Sequence, residues 1–180
     1  MSDIAIRWGS VDDAHDVAVV HVDAWRAAYR GLLPDQLLDE LSVDSRAKSW
    51  TSWLTRSLKG MPTDGEDGPS HRLLVAHDAG EVLGWATFGA GRDLGDEGRG
   101  ELAGLYVHPD RWRRGVGAAL LHRVVQELRA SGSEECYLWV LAGNVRALTF
   151  YERHEWRADG REKIITGSEG RKITELRYSR

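Results

Sequence analysis

The chain has 180 residues, 42% of them hydrophobic and 29% charged; by length it is about one domain and can bury roughly two-thirds of its unfolded surface, which excludes a stapled miniprotein, a disordered chain and a fibrous one. Its 24 basic and 28 acidic side chains leave a net charge of −4, without the clustered Lys and Arg that duplex nucleic acid or an anionic membrane needs; a mildly acidic surface suits cationic small molecules but is only a weak argument for them. The lone Cys136 cannot close an internal disulfide, no basic-then-apolar leader is evident, and no apolar run approaches the roughly 20 residues of a membrane helix. The expectation is a cytoplasmic protein in a reducing compartment, with neither nucleic acid nor membrane among its partners.

Residues 4–7, apolar at alternate positions ahead of Gly9-Ser10, predict a first strand. Ser10 and the acidic pair Asp12-Asp13 open a stretch in which Val17, Val20, His21, Ala24, Trp25 and Ala28 recur at helical spacing, and Gly31 marks its end. Pro34 precedes a short helix over 35–41, and a third helix runs from Asp44, read as its cap, to about Leu58, with Trp50, Trp53 and Leu54 on neighbouring turns. Gly65, Gly68 and Pro69 make 59–70 a mobile loop rather than a domain linker. Residues 72–77 and 81–88 flank the turn Asp78-Ala79-Gly80 as a hairpin. After a Gly-rich loop over 89–100 come a strand at 101–107, a helix at 116–130, a strand at 137–141, a helix at 144–154 and a closing hairpin, 156–165 with 172–178, about Gly167 and Gly170. This order predicts an α+β fold with helices on a mixed sheet, residues 101–141 forming a right-handed parallel crossover.

The crossover is where the chemistry concentrates. Val116, Leu120, Val124 and Leu128 form an apolar stripe that packs its helix on the sheet. Arg113, Arg114, Gly115, Val116 and Gly117 then stand at the helix N-terminus, where free backbone N–H groups, the helix dipole, close-approach glycines and guanidinium charge together favour a diphosphate. The plainer alternative is that the glycines only ease a turn; the adjacent arginines and the upstream strand weigh against it. A dinucleotide fingerprint needs a third glycine where Leu120 stands, and a Walker loop needs Gly-Lys-Ser/Thr. The seven histidines show no His-Glu-x-x-His or Cys-x-x-Cys spacing for a metal, no Gly-x-Ser-x-Gly elbow occurs, and Cys136 has no evident base.

The segment Trp112-Arg-Arg-Gly-Val-Gly117 resembles the coenzyme-A-binding motif of the GNAT superfamily of N-acetyltransferases, Gln/Arg-x-x-Gly-x-Gly/Ala. Gly115 and Gly117 match it, while Trp112 stands where Gln or Arg is usual. The run Tyr137-Leu-Trp-Val-Leu-Ala-Gly-Asn144, followed by Arg146-Ala147-Leu-Thr-Phe-Tyr151-Glu152, is similar to the family's second hallmark, a strand, an Asn and a helix bearing a Tyr. Glu155-Trp156 replaces the frequent Gly-Phe after that helix. The resemblance implies one acyl-CoA N-acyltransferase domain over 1–180, built on a mostly antiparallel mixed sheet of about seven strands with helices on both faces and a central, splayed parallel pair. It implies acetyl-CoA as co-substrate, no metal, and cofactor contacts at Leu105, Tyr106, Val107, Arg113, Arg114, Gly115, Val116, Gly117, Ala118, Asn144 and Ala147. The pantetheine arm would lie in the splay against the backbone of 105–107, with Gly104 near the usual bulge.

An alkylamine with a pKa near 10.4 must lose a proton before it can attack a thioester. By resemblance Glu101 supplies the carboxylate base through water; the alternative is a surface glutamate at a strand end, Glu97 and Asp96 are looser candidates, and His108 is read as structural. Tyr151 matches the Tyr that protonates the departing sulfur, the alternative being a core Tyr with a satisfied hydroxyl. Asn144 either bonds the pantetheine amide or caps the helix. Trp25 and Tyr29 resemble the amine-facing wall, with core the competing place for Trp25 and the expected one for Trp50 and Trp53. The implied activity is direct transfer to a primary amine of a small molecule or peptide in a ternary complex. The rival is a catalytically weak acyl-CoA-binding regulatory or sensor module, and a third reading is an α+β domain whose surface serves protein partners. The family often forms dimers, and the terminal hairpin offers an edge strand for a homodimer.

Overall fold

The computed structural model describes residues 4–95, 98–166 and 172–180. In chain order the elements are β1 (Ala5–Trp8), α1 (Ala14–Tyr29), α2 (Asp35–Asp39), α3 (Val43–Leu58), β2 (Arg72–Asp78), β3 (Glu81–Ala90), β4 (Gly100–Val107), α4 (Val116–Ala130), β5 (Cys136–Leu141), α5 (Val145–Arg153), β6 (Arg157–Thr166) and β7 (Lys172–Ser179). The strands form a seven-stranded sheet in the order β1-β2-β3-β4-β5-β7-β6. The β4–β5 pair is parallel and the other pairs are antiparallel. The expected α+β fold is therefore present. The closing hairpin expected about Gly167 and Gly170 has its turn outside the described residues.

Strand alternation explains why helices cover both faces. On β2, Leu74 and Ala76 join the core under α4, with Val116, Leu120, Val124 and Leu128 of the predicted stripe. Leu73 and Val75 point the other way, into a second core with Val17, Val20, Trp50 and Leu54 of α1 and α3. Trp50 and Trp53 thus belong to the core, as expected.

Two local readings need correction. The first strand lies one residue later than 4–7. The cap of α3 is Ser42, whose hydroxyl accepts from the Ser45 amide at 3.3 Å, not Asp44, which sits in the first turn. The loop after α3 is tied down, since the Arg56 guanidinium donates to the carbonyls of Pro62 at 2.6 Å and Gly65 at 3.3 Å.

The feature that positions the site is the split between β4 and β5. Their ladder pairs Gly100 with Cys136, Glu101 with Tyr137 and Leu102 with Leu138, and goes no further. On its other edge β4 carries a bulge, because Leu102 faces Phe88 and Gly104 faces Thr87, leaving Ala103 as the extra residue. A bulge increases local twist and bends its strand, and beyond it residues 103–107 have no partner on the β5 side.

Candidate active site

The split opens into a cavity of about 1420 Å³, whose walls include residues 101–107 of β4, the turn into α4, Trp139 to Leu141 of β5, one face of α5 and the last turns of α1. Of the expected cofactor residues, Leu105, Tyr106, Val107, Arg113, Gly115, Gly117, Ala118, Asn144 and Ala147 line it. Two side chains do not. Val116 is 1% exposed because it begins the buried stripe of α4, so only its backbone is available, and Arg114 is exposed on the turn outside the lining.

At this end of the cavity the chain leaves donors open. Gly115 caps α4 in the left-handed region at φ 85 and offers no side-chain acceptor. The first amide bonded back into the helix is that of Ala119, to the Gly115 carbonyl at 3.0 Å. The amides of Val116, Gly117 and Ala118 have no acceptor among the described residues. A Cβ at Gly115 would meet nothing within 4 Å, whereas one at Gly117 would stand 3.4 Å from the Phe150 ring. Open amides, a helix dipole and free space over the turn are the requirements of a diphosphate cradle.

Trp112, the departure from the family pattern, has a structural task. Its Nε1 donates to the Val107 carbonyl at 2.8 Å, and its ring carries the Arg146 guanidinium 3.3 Å above its centroid. Arg146 lines the same cavity and has no ion-pair partner among the described residues. Arg146 falls inside the second motif, but its spacing from Trp112 carries no signal, since the two meet only when α5 folds against the turn. Asn144 caps α5, its Oδ1 accepting from the Ala147 amide at 3.2 Å.

The far end holds the titratable groups. Tyr151 is 8% exposed, lines the cavity, and its hydroxyl has no hydrogen-bond partner among the described residues. Burial, with the nearby Tyr106 hydroxyl, pushes its pKa well above the ordinary phenol value. Tyr29 also lines the cavity, with its hydroxyl 3.1 Å from that of Tyr106. Trp25 does not line it; its ring packs edge-on against Tyr29 at 5.1 Å and under the Arg46 guanidinium at 5.8 Å, so it backs the wall. His108 is engaged on both ring nitrogens: Nδ1 accepts from the Asp110 amide at 3.3 Å and Nε2 lies 3.2 Å from Asp23.

Glu101 is not a surface glutamate. It is 3% exposed and clamped: Arg92 Nη2 donates to Oε1 at 2.6 Å, while Arg92 Nε, the Arg92 amide and the Tyr137 hydroxyl reach Oε2 at 2.9, 3.2 and 3.3 Å. Arg92 is further paired with Asp64. The looser candidates Asp96 and Glu97 lie outside the described residues. Arg92, Lys163 and Glu175, none of them in a sequence motif, also line this end. They come from a Gly-rich loop and a hairpin whose strands show no motif, so nothing in the spacing marks them.

Residues 33–156 match the sequence model of the Acetyltransferase (GNAT) family. The chain is also 32% identical over 152 residues, 84% of its length and 79% of the relative's, to the uncharacterized N-acetyltransferase YuaI of Bacillus subtilis. The chain belongs to the GNAT family. This acetyltransferase is 30% identical over 136 residues, 74% of its length and 72% of the relative's, to the L-methionine sulfoximine/L-methionine sulfone acetyltransferase of Pseudomonas aeruginosa. Its fold matches that of the PaiA N-acetyltransferase of Thermoplasma acidophilum, solved in complex with coenzyme A, with a TM-score of 0.71 over 96% of this chain and 98% of that one at 19% identity. The enzyme is an acetyl-CoA-dependent N-acetyltransferase. Among the described residues, no helix is long and apolar enough to cross a membrane.

Proposed function

We propose that this GNAT enzyme passes the acetyl group of acetyl-CoA directly to a primary amine of a small molecule or peptide, both substrates being bound at once. The observation that carries this reading is one cavity with an open amide turn at residues 116–118 at one end and an unpartnered phenol, Tyr151, toward the other. The diphosphate would bind the amides of Val116, Gly117 and Ala118, with Arg113 and Arg146 supplying charge. The pantetheine arm would add its hydrogen bonds to the unpaired backbone of 105–107, as an extra strand does at a free sheet edge. Tyr151 would then protonate the sulfur as the thiolate leaves, a task suited to a phenol that stays protonated at neutral pH.

A covalent route has little support. Cys136 is 1% exposed, burial raises its thiol pKa, and it is absent from the cavity lining. The Pseudomonas relative, named for methionine sulfoximine and sulfone, supports acceptors of amino-acid size.

The test is thiol release from acetyl-CoA in the presence of a panel of primary amines that includes the common amino acids and L-methionine sulfone. Release that requires both acetyl-CoA and an amine is expected. Acetyl-CoA binding without release under any amine would favour the regulatory module, and no binding at millimolar ligand would defeat both readings.

A further inference from the structure

Among the described residues, Glu101 and Glu175 line the acceptor end of the cavity and Asp93 stands beside it, bonded to the lining residues Lys163 and Trp139; the three carboxylates differ in how far their lone pairs are already engaged. Glu101 accepts from Arg92 and Tyr137 through both oxygens. Asp93 accepts from Lys163 Nζ at 2.9 Å and from Trp139 Nε1 at 2.9 Å. Glu175 lines the same cavity, and its side-chain carboxylate accepts no hydrogen bond and makes no ion pair within 4.0 Å among the described residues. A half-buried anion without a partner is unfavourable on its own account, and a cation brought in by a substrate would complete it.

We propose that Glu175 on β7, rather than Glu101 on β4, is the residue that receives the acceptor ammonium and takes its proton. The assignment rests on the acyl-transfer reading above and names the base at that same site. β7 lies between β5 and β6, so Glu175 stands opposite Leu141 of β5, on the strand that borders the split, and opposite Lys163 of β6. The groups whose charges act on it, or feel its own, come from every element around it: Lys163 of β6, Arg92 and Asp93 of the loop after β3, Glu101 of β4, and the hydroxyls of Tyr29 of α1 and Tyr106 of β4. Both cations have other acidic partners, Lys163 in Asp93 and Arg92 in Glu101 and Asp64, which leaves the Glu175 charge incompletely balanced. Burial raises the Glu175 pKa, against the opposing pull of Lys163 and Arg92, and a carboxyl shifted toward the working pH is the better proton acceptor.

The protons balance. One N–H proton of the ammonium passes to a Glu175 carboxylate oxygen, and the neutral nitrogen forms its bond to the thioester carbonyl carbon. As the tetrahedral adduct collapses the C–S bond breaks, and the sulfur takes the Tyr151 hydroxyl proton. The second nitrogen proton, lost as the amide forms, restores Tyr151, and Glu175 releases its proton to solvent. The products are the N-acetyl amide, the free thiol and one proton.

The experiment compares wild type with Glu175→Gln and Glu101→Gln, using the best acceptor from the amine panel, with kcat/KM followed across pH and acetyl-CoA affinity measured by calorimetry. For Glu175→Gln we expect a loss of about 100-fold or more in kcat/KM at neutral pH, disappearance of the acidic limb of the profile, and unchanged acetyl-CoA affinity. Glu101→Gln should lower activity by freeing Arg92 while keeping the acidic limb. A Glu175→Gln enzyme within about threefold of wild type, or one that keeps the limb, overturns the assignment of the base and leaves the acetyltransferase reading intact. Wild type that binds no acetyl-CoA, or acetylates no amine, overturns both.

Discussion

A phenol hydroxyl largely walled from water and given no protein partner carries a desolvation cost that a purely structural Tyr avoids by bonding to something. Tyr178 shows the ordinary solution, with its hydroxyl on Glu152 at 3.0 Å, whereas Tyr151 lines the cavity and its hydroxyl has no partner among the described residues. Removing that hydroxyl should therefore touch turnover and little else. Tyr151→Phe is expected to lower kcat by about 100-fold or more with acetyl-CoA affinity within about twofold, read by steady-state kinetics beside calorimetry; an unchanged kcat would remove Tyr151 from the reaction. Because burial raises its pKa, ionisation of Tyr151 should not limit the rate below about pH 10. Tyr151 was legible through the resemblance of residues 137–152 to the family's strand, Asn and Tyr-bearing helix, and the structure places it on the cavity wall. The state of Glu101 was not. Its place at a strand start said that it faces the cleft, but the clamp comes from Arg92 in a glycine-rich loop, and loop backbone has no period from which a contact can be read.

At the scale of elements, α1 and α3 are held on β3 by an aromatic cluster with His21 at its centre. The imidazole packs 5.2 to 5.9 Å from Trp25, Trp50, Trp85 and Tyr106, and Trp50 Nε1 donates to its Nδ1 at 3.3 Å. Burial first, and the Arg46 charge second, depress its pKa from 6.5 to about 3. Below pH 6.5 the unfolded chain takes the proton and the folded chain does not, so this contribution to stability is whole above that pH and is lost as pH falls toward 3. At full size it is on the order of 5 kcal/mol. Thermal unfolding of wild type should thus lose stability between pH 6.5 and pH 4 more steeply than that of His21→Phe; parallel curves would mean that His21 is already charged in the folded state. His71, whose pKa is also lowered by burial, adds a slope of the same sign to both proteins and cancels in the comparison. Helix and strand positions were legible to within a residue or two, since they rest on periodicity. The cap of α3 was not, because Ser42 and Asp44 are both good caps and only the extended backbone at Ser42, φ −119 and ψ 127, decides between them. Nor was the insertion of β7 between β5 and β6, since sequence order lists strands without saying which neighbour each one takes, and with it Glu175 stayed hidden.

For the molecule as a whole, a seven-stranded sheet covered on both faces splits where β4 and β5 part after Leu102 and Leu138. The unpaired backbone there and the open amides of the α4 turn amount to binding capacity that the fold itself leaves unfilled, and a bound ligand should stabilise it: at 100 times its dissociation constant, by about 2.7 kcal/mol. The most direct test is a calorimetric titration of acetyl-CoA into wild type and into Gly117→Leu, with the ligand-free thermal stability of each recorded alongside. The account predicts saturable binding to wild type and affinity weakened by tenfold or more in the variant, about 1.4 kcal/mol, while its ligand-free unfolding stays close to wild type. Equal affinity in the two proteins, or no binding to wild type at millimolar ligand, would contradict it.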